Sequence, residues 1–304
     1  MSSVKERLGT LALRNSQLVE KFDRAQVGVQ RREEAARTAQ AAAVQARRDD
    51  RRAHVEFTQL IQAQYESDNL GAAGALLDSS SGTNYLDQLT TLDMVSTHTA
   101  QVVGAVGRAR EEATTAAAAA ERLLAAARTQ RTELARQRQR VEAQIRRYKT
   151  LLATLTAAQR AAYRRATNPS VSTAELLRLP LTVASSPAAH RAVEFALAQV
   201  GKPYVFGAAG PYSYDCSGLT MAAWADVGVS LPHSAAEQYT YGRHVSLADL
   251  MPGDLIFFYQ PIGHVTIYMG NGLMVSAPTE GQDVSVVPLS AFSGDIAGAT
   301  RLSG

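Results

Sequence analysis

The strongest constraint on the fold is an apolar repeat in the first half of the chain. Between residues 2 and 65, apolar side chains recur with alternating spacings of four and three residues, which is typical of a helix packed along one seam. The repeat consists of Val4, Leu8, Leu11, Leu18, Phe22, Ala25, Val29, Ala36, Ala39, Ala43, Ala46, Ala53, Phe57 and Leu60, and it is interrupted by Asn15, Arg32, Asp50 and Gln64. We predict one long coiled-coil helix here.

The same repeat returns between Leu89 and Leu155, after a stretch rich in Gly, Ser, Asn and Asp. That stretch, residues 66–88, predicts one or two short helices at a turn. Two equal helices joined by a compact turn fold back as an antiparallel pair, so residues 1–165 are predicted to form a coiled-coil hairpin. Folding about residue 75 places the small residues 36–46 opposite residues 104–114. A coiled coil that serves only as a spacer is the alternative.

Charge and cysteine content exclude several classes of protein. Residues 1–165 hold 26 Lys and Arg against 18 Asp and Glu, and the basic residues are scattered among acids without interleaved aromatic residues. We therefore predict no nucleic-acid partner. One cysteine allows no internal disulfide, no His or acidic pair has metal-ligand spacing, and no cofactor motif is present. The first residues do not form a signal peptide, so an exported protein is expected to be in its mature form.

The second half of the chain has a different organisation. Residues 166–187 contain three prolines and several leucines and are predicted to be a linker. Residues 188–304 begin with helical segments, the first capped by Ser186 before Pro187, and continue with a series of short strands. This order predicts an α+β domain with an antiparallel sheet.

The lone cysteine lies where a Gly- and Pro-containing loop meets a helix. Cys216 is followed by an apolar helical segment, and the free N–H groups of a helix start lower the pKa of a thiol and favour a nucleophilic thiolate. A small buried apolar filler is the alternative. Among the histidines, His264 opens an apolar strand and is the best candidate base. A three-residue turn would place Ser276 diagonal to His264 on the same face, whereas a two-residue turn would move Ser276 to the other face.

Several motifs in order resemble the NlpC family of papain-like cysteine peptidases, which cut stem peptides of bacterial peptidoglycan. They are Gly-Lys-Pro-Tyr-Val-Phe-Gly (201–207), Asp-Cys-Ser-Gly-Leu (215–219), Leu-Pro-His-Ser (231–234), Pro-Gly-Asp-Leu-Ile-Phe-Phe (252–258) and Gly-His-Val-Thr-Ile-Tyr-Met-Gly-Asn-Gly (263–272). The resemblance implies Cys216 as nucleophile, His264 as general base and Tyr204 as an oxyanion ligand. It also implies substrate contacts by the residues Asp215, Ser217, Ser234 and Gln238. The third catalytic position, usually His, is Ser276 here, with Glu280 or Asp283 as possible substitutes.

The hairpin is similar to those of division-associated cell-wall hydrolases and their activators. The resemblance centres on residues 76–89 and implies docking on the FtsEX membrane complex through Leu76, Leu77, Tyr85 and Leu86. The whole sequence is thus read as an exported, cell-wall hydrolase that cleaves the bond between D-glutamate and the diamino acid. A weakly active scaffold or activator is one alternative, and an amidase or acyltransferase of the same superfamily is another.

Overall fold

The computed structural model describes residues 2–68, 82–172, 183–292 and 295–303. Two long helices come first: α1 spans Ser2–Asp68 and α2 spans Gly82–Ala153. A third helix, α3, spans Ala157–Thr167 and starts with a capping box in which Thr156 and Gln159 satisfy each other's backbone N–H groups. Within these ranges no helix has the length and apolarity needed to cross a membrane.

The chain divides into two compact units that do not follow the sequence boundary at residue 165. One unit is Gln30–Arg131, and the other combines Met1–Val29 with Thr132–Gly304. The beginning of α1 and the end of α2 therefore belong to the unit that contains the sheet. This arrangement matters for the site, because side chains of the first helix pack on the second half of the chain.

Within the unit Gln30–Arg131, small residues form the contact between the two helices, but with a different register from the one predicted. Ala43 lines a common groove with Ala117 and Ala120, and Ala36 shares a second groove with Ala127. The expected partners of this region were residues 104–114, so that prediction was wrong by about three helical turns. The connection between the helices is not symmetric about residue 75, which sequence spacing alone assumed.

Within the other unit, the first and last turns of the hairpin have a denser apolar core. Val19 and Phe22 of α1 pack against Val141 and Ile145 of α2. The ring of Phe22 also meets the ring of Phe206 edge to face, with centroids 5.2 Å apart. The hairpin therefore contacts the loop that precedes Cys216.

The second half of the chain is an α+β domain with an antiparallel sheet, as predicted. Three helices come first: α4 (Pro187–Leu197), α5 (Cys216–Ala225) and the short α6 (Ala235–Gln238). Six strands follow: β1 (Arg243–Val245), β2 (Leu255–Phe258), β3 (His264–Gly270), β4 (Leu273–Ser276), β5 (Ser285–Pro288) and β6 (Ile296–Arg301). Their order in the sheet is β1-β6-β2-β3-β4-β5. Ser186 caps α4 and Ser234 caps α6 as expected, whereas β1 was not anticipated.

The turn between β3 and β4 decides which side chains face His264. It is a two-residue turn, with Gly270 opposite Leu273, but a register shift between Tyr268 and Gly270 places Ile267 opposite Val275. The extra residue of this bulge restores the register expected for a three-residue turn. Ser276 consequently lies on the face of His264.

Some predicted features fall on parts of the chain that the structure does not describe. Leu76 and Leu77 lie outside the described residues, and Tyr85 and Leu86 belong to α2 but their side chains are not described. Most of the leucine-rich linker also lies outside the described ranges.

We predict that the fold depends on a buried ion pair at the start of β2. Asp254 is fully buried. Its carboxylate accepts two hydrogen bonds from Arg301, at 2.8 and 2.7 Å, and one from the Met251 N–H at 2.8 Å. Asp254→Asn should lower the free energy of unfolding by about 3 kcal/mol, because the partly buried guanidinium loses its counter-charge. Denaturant unfolding followed by the fluorescence of Trp224, the single tryptophan, measures this change.

Asp226→Asn is the matched control, since it removes an exposed ion pair with Arg191 at 3.4 Å. This change should alter the unfolding free energy by less than about 0.5 kcal/mol. Equal effects of the two variants would contradict the structural role assigned to Asp254.

Candidate active site

The start of α5 is organised by the side chain of Asp215. This residue is the N-cap: one carboxylate oxygen accepts the Gly218 N–H at 2.7 Å, and the other accepts the Gly207 N–H at 2.8 Å. A Cβ atom at Gly218 would lie 2.2 Å from the carbonyl oxygen of Ala208, so the loop and helix approach too closely for any side chain there. Cys216 is therefore fixed as the first residue of α5, as the sequence predicted.

His264 and Ser276 meet across β3 and β4. The imidazole Nε2 lies 3.1 Å from the Ser276 Oγ, and both residues are buried. The Val265 N–H, on the next residue of β3, forms a hydrogen bond with the Cys216 side chain. The structure thus brings the beginning of β3 against the sulfur. Because Nε2 faces Ser276, Nδ1 is the ring nitrogen that does not face the serine.

The imidazole is held by more than the serine. Phe292 stacks on the His264 ring with an interplanar angle of 7° and a centroid separation of 5.3 Å. Sequence analysis missed this residue, because it follows β5 and no local pattern links it to β3. Neither suggested substitute for Ser276 replaces it: Glu280 accepts the Phe206 N–H and pairs with Lys149, and Asp283 is exposed.

The electrostatics of the pair differ from the sequence prediction. Burial raises the pKa of the Cys216 thiol well above its usual value, and the nearby carboxylates of Asp215, Glu20 and Asp23 raise it further. The prediction of a lowered thiol pKa was therefore wrong for this conformation, because burial and negative charge outweigh the helix terminus. Burial also lowers the pKa of His264 to about 4. The thiol and the imidazole are both neutral at pH 7.

Two tyrosines lie near the thiol. Tyr204 is buried, and its backbone N–H bonds to the Gln282 carbonyl. Burial raises the pKa of Tyr204, and the proximity of Cys216 and Asp215 adds to this effect. Burial and Cys216 likewise raise the pKa of Tyr259, a residue that sequence reasoning did not select. Both phenols therefore remain protonated and can donate a hydrogen bond.

Two of the expected substrate contacts are instead buried inside the domain. The Gln238 amide donates to the carbonyl oxygens of Ser217 and Pro232, both at 2.9 Å, and accepts from the Thr220 hydroxyl. The Ser217 hydroxyl faces Asp215 at 3.4 Å. These groups hold α5 and α6 together and so position the site.

Ser234, another expected substrate contact, is bound by a residue of α1. Glu20 accepts hydrogen bonds from the Ser234 hydroxyl at 2.5 Å, the Ala235 N–H at 2.7 Å and the Ala236 N–H at 2.9 Å. Burial raises the pKa of Glu20, although these three hydrogen bonds oppose the shift. One turn of α1 further on, Asp23 is 2% exposed and lies beside Asp215. Sequence analysis missed both acidic residues, since neither belongs to the apolar repeat.

His233 completes this acidic region. Its Nε2 lies 2.8 and 2.9 Å from the two carboxylate oxygens of Asp215. Burial alone lowers the pKa of His233, but the hydrogen bond to Asp215 and the charge of Asp215 outweigh burial and raise it. The sequence motif Leu-Pro-His-Ser contained His233, but nothing in the motif indicated that it would face Asp215.

Comparison with known proteins identifies the class of this site. Residues 201–296 match the profile of the NlpC/P60 family. A probable endopeptidase of Mycobacterium tuberculosis is 48% identical over 109 residues, 36% of this chain and 28% of that protein. The peptidoglycan endopeptidase RipA of the same organism is 43% identical over 108 residues, 31% of this chain and 23% of that protein. The chain thus spans about a quarter of the length of these curated relatives.

Part of the chain is also similar to solved structures. The NlpC/p60 domain of the peptidoglycan hydrolase SagA is 31% identical, and the match covers 38% of this chain and 98% of that domain, with a TM-score of 0.35. Within this chain the match to the NlpC/P60 family is confined to residues 201–296.

We predict that α1 keeps the Cys216 thiol unreactive. Glu20→Gln replaces a charged acceptor by an amide, which weakens the contact with Ser234, Ala235 and Ala236 and removes a negative charge near the sulfur. Alkylation of Cys216 by iodoacetamide at pH 7 should therefore become about three- to tenfold faster. The rate is measured by mass spectrometry, which reports the modified fraction over time.

Glu34→Gln is the matched control, because it changes an exposed acidic residue of the same helix. It should leave the alkylation rate unchanged. If Glu20→Gln also left the rate unchanged, the proposed protection of the thiol by α1 would be wrong.

Proposed function

We propose that this protein is a cysteine endopeptidase that cleaves the stem peptides of peptidoglycan. The observation that carries the proposal is the hydrogen bond from the Val265 N–H to the Cys216 side chain, which joins the start of α5 to the strand that begins at His264, within residues that match the NlpC/P60 family. The bond between D-glutamate and the diamino acid is the expected target, by resemblance to the family. The cell wall, outside the membrane, is the expected location because the substrate is there.

The mechanism follows from the chemistry of the pair. Cys216 Sγ attacks the scissile carbonyl, and its proton passes to His264 Nδ1, which then gives it to the departing amine. Water attacks the resulting thioester, with His264 taking a proton from it, and the acid product leaves as the thiolate reforms. The Cys216 N–H and the Tyr204 hydroxyl are the proposed donors to the oxyanion. No metal or cofactor is needed for these steps.

One observation favours the alternative function, a scaffold that activates other hydrolases. The thiol is neutral and buried, and the third catalytic residue is a serine, which orients an imidazole less firmly than a histidine or an acid. We favour a closed enzyme, because two of the carboxylates that raise the thiol pKa belong to α1 rather than to the catalytic domain. Release of α1 would remove both charges and admit water.

We therefore propose that the beginning of α1 inhibits the enzyme. Glu20 accepts a hydrogen bond from Ser234, an expected substrate contact, and Phe22 packs on Phe206 in the loop before Cys216. A stem peptide and α1 would compete for the same groups. Activation then requires α1 to move away from α6, and the hairpin is the part of the chain through which a partner would cause this movement.

We predict that Cys216→Ala abolishes stem-peptide cleavage, whereas Ser276→Ala keeps at least a tenth of the wild-type rate. The nucleophile has no substitute, but stacking on Phe292 and burial still orient the imidazole when the serine hydroxyl is lost. Purified muropeptides are digested, and the products are identified by mass, which also reports the bond that is cut. Both substitutions are made in a protein that also carries Glu20→Gln, so that the closed conformation does not mask the activity.

An enzyme with Ser276→Ala as inactive as Cys216→Ala would show that the serine is indispensable. Products other than those of an endopeptidase would indicate an amidase or acyltransferase. Complete inactivity of the Glu20→Gln protein towards muropeptides, with normal alkylation of Cys216, would favour the scaffold.

We further propose that the tip of the hairpin binds the extracellular part of the FtsEX complex, by resemblance to division-associated hydrolases. Changing Leu76 and Leu77 to Asp should abolish capture of this protein by the extracellular loop of FtsX in a pull-down, because charged side chains disrupt an apolar contact. Changing Val44 and Val55, which are exposed on α1, to Asp is the control for added charge. Capture that survives the change at the tip would place the interaction elsewhere.

A further inference from the structure

Three metal-ligating side chains meet where α1 contacts the catalytic domain. Asp23 of α1, Asp215 at the N-cap of α5 and His233 before α6 each offer one ligand atom, and these atoms lie within 4.8 Å of one another. Asp215 is fully buried and Asp23 is 2% exposed. The three residues are far apart in the sequence, so spacing analysis found no metal motif.

One atom of this cluster has no partner. The Oδ2 atom of Asp23 is buried and forms no hydrogen bond within the described part of the chain. Both oxygens of Asp215 are already used by backbone N–H groups and by His233. An unpaired carboxylate oxygen beside a second carboxylate is expensive to bury unless a positive species lies between them.

The spacing of these groups can accommodate a metal ion as well as a proton. The His233 Nε2 lies 2.8 and 2.9 Å from the oxygens of Asp215. Two ligands on one Zn²⁺, each about 2.0–2.2 Å from the ion, are about 3.4 Å apart at the tetrahedral angle. An ion can therefore replace the proton on Nε2 if His233 and Asp215 move apart by about 0.5 Å, and Asp23 is close enough to supply the third ligand. A proton on Asp23 would neutralise one charge but would bridge only two of the three groups.

The donor set selects the kind of ion. Ca²⁺ and Mg²⁺ prefer shells made entirely of oxygen, with six or more ligands. An imidazole nitrogen with two carboxylates suits Zn²⁺, which takes three protein ligands and leaves a position for water.

We propose that Asp23, Asp215 and His233 bind Zn²⁺ and that the ion fastens α1 over the active site, a regulatory role that rests on the proposed function. Asp23 comes from the inhibiting helix, and the other two ligands come from the catalytic domain. Binding releases the proton from Nε2 of His233 and forms bonds from the metal to this nitrogen and to an oxygen of each carboxylate. Loss of the ion leaves Glu20 and Phe22 as the contacts that hold the closed conformation.

Isothermal titration calorimetry with ZnCl₂ tests the site directly. The full chain carries Cys216→Ala, which removes the thiol as a competing zinc ligand, and it is dialysed against EDTA and then against buffer. We expect one Zn²⁺ per chain, at least tenfold weaker binding after Asp23→Asn, and unchanged binding after Asp226→Asn, an exposed aspartate of the same domain. Repeating the titration in buffers of different ionisation enthalpy measures the released proton.

Two results would overturn the site itself. Absence of Zn²⁺ binding would leave a proton as the neutralising species, and equal affinity after Asp23→Asn would place the ion elsewhere. Circular dichroism of the Asp23→Asn protein checks that its helices remain. Asp23→Glu keeps a carboxylate, so it should retain part of the affinity for Zn²⁺, whereas Asp23→Asn should not. If Asp23→Glu bound no better than Asp23→Asn, a ligand role for the carboxylate would be wrong.

A second measurement separates this proposal from the proposed function. Zn²⁺ should slow muropeptide cleavage by the wild-type chain. The Asp23→Asn protein should need at least a tenfold higher Zn²⁺ concentration for the same degree of inhibition. Inhibition that persists unchanged would mean that Zn²⁺ acts on the Cys216 thiol, and the regulatory role would fail. A chain that binds Zn²⁺ through Asp23 but cleaves no muropeptide would leave the metal site standing while the endopeptidase proposal failed.

Discussion

The site depends on one buried carboxylate, that of Asp215. Its oxygens tie the loop at Gly207 to the helix that begins at Cys216, and the same oxygens receive His233. These donors satisfy both oxygens of a fully buried carboxylate. The negative charge has a consequence for its neighbour in the chain, because it helps to raise the pKa of the Cys216 thiol. The residue that holds the nucleophile in place therefore also works against its ionisation.

The contribution of α1 adds to this effect. Glu20 and Asp23 bring two more carboxyl groups near the sulfur, and Glu20 also binds Ser234, which we propose as a substrate contact. Burial acts on both members of the catalytic pair in the same direction, because it disfavours the thiolate and the imidazolium alike. If α1 moves away as proposed, water can reach the site, and the carboxyl groups of Glu20 and Asp23 no longer raise the pKa of the thiol. Steric and electrostatic inhibition are then one event.

The sequence predicted what depends on periodicity and local chemistry. The apolar repeat predicted two long helices. Period-two alternation left open whether Ser276 lies on the face of His264, because the answer depends on the turn, which contains a bulge. Sequence reasoning failed where contacts join distant segments. Glu20 and Ser234 are 214 residues apart, and no local pattern in either helix indicates that they meet. The predicted direction of the thiol pKa shift was wrong for the same reason, since the burial of Cys216 depends on tertiary contacts.

The strength of the α1 contact sets what an activating partner must supply. Hydrogen bonds to a charged group contribute about 1.5–3 kcal/mol each, and an aromatic pair such as Phe22 and Phe206 adds about 1 kcal/mol. These contributions are not additive, because Ser234, Ala235 and Ala236 share one carboxylate. We therefore take about 5 kcal/mol as the scale of the free energy by which the α1 contact favours the closed form. A partner shifts this equilibrium only through a difference in affinity, and making the two forms equally populated already requires about 5 × 10³-fold tighter binding to the open form. A contact with the hairpin that is equally strong in both conformations would leave the enzyme closed, however tightly the partner bound.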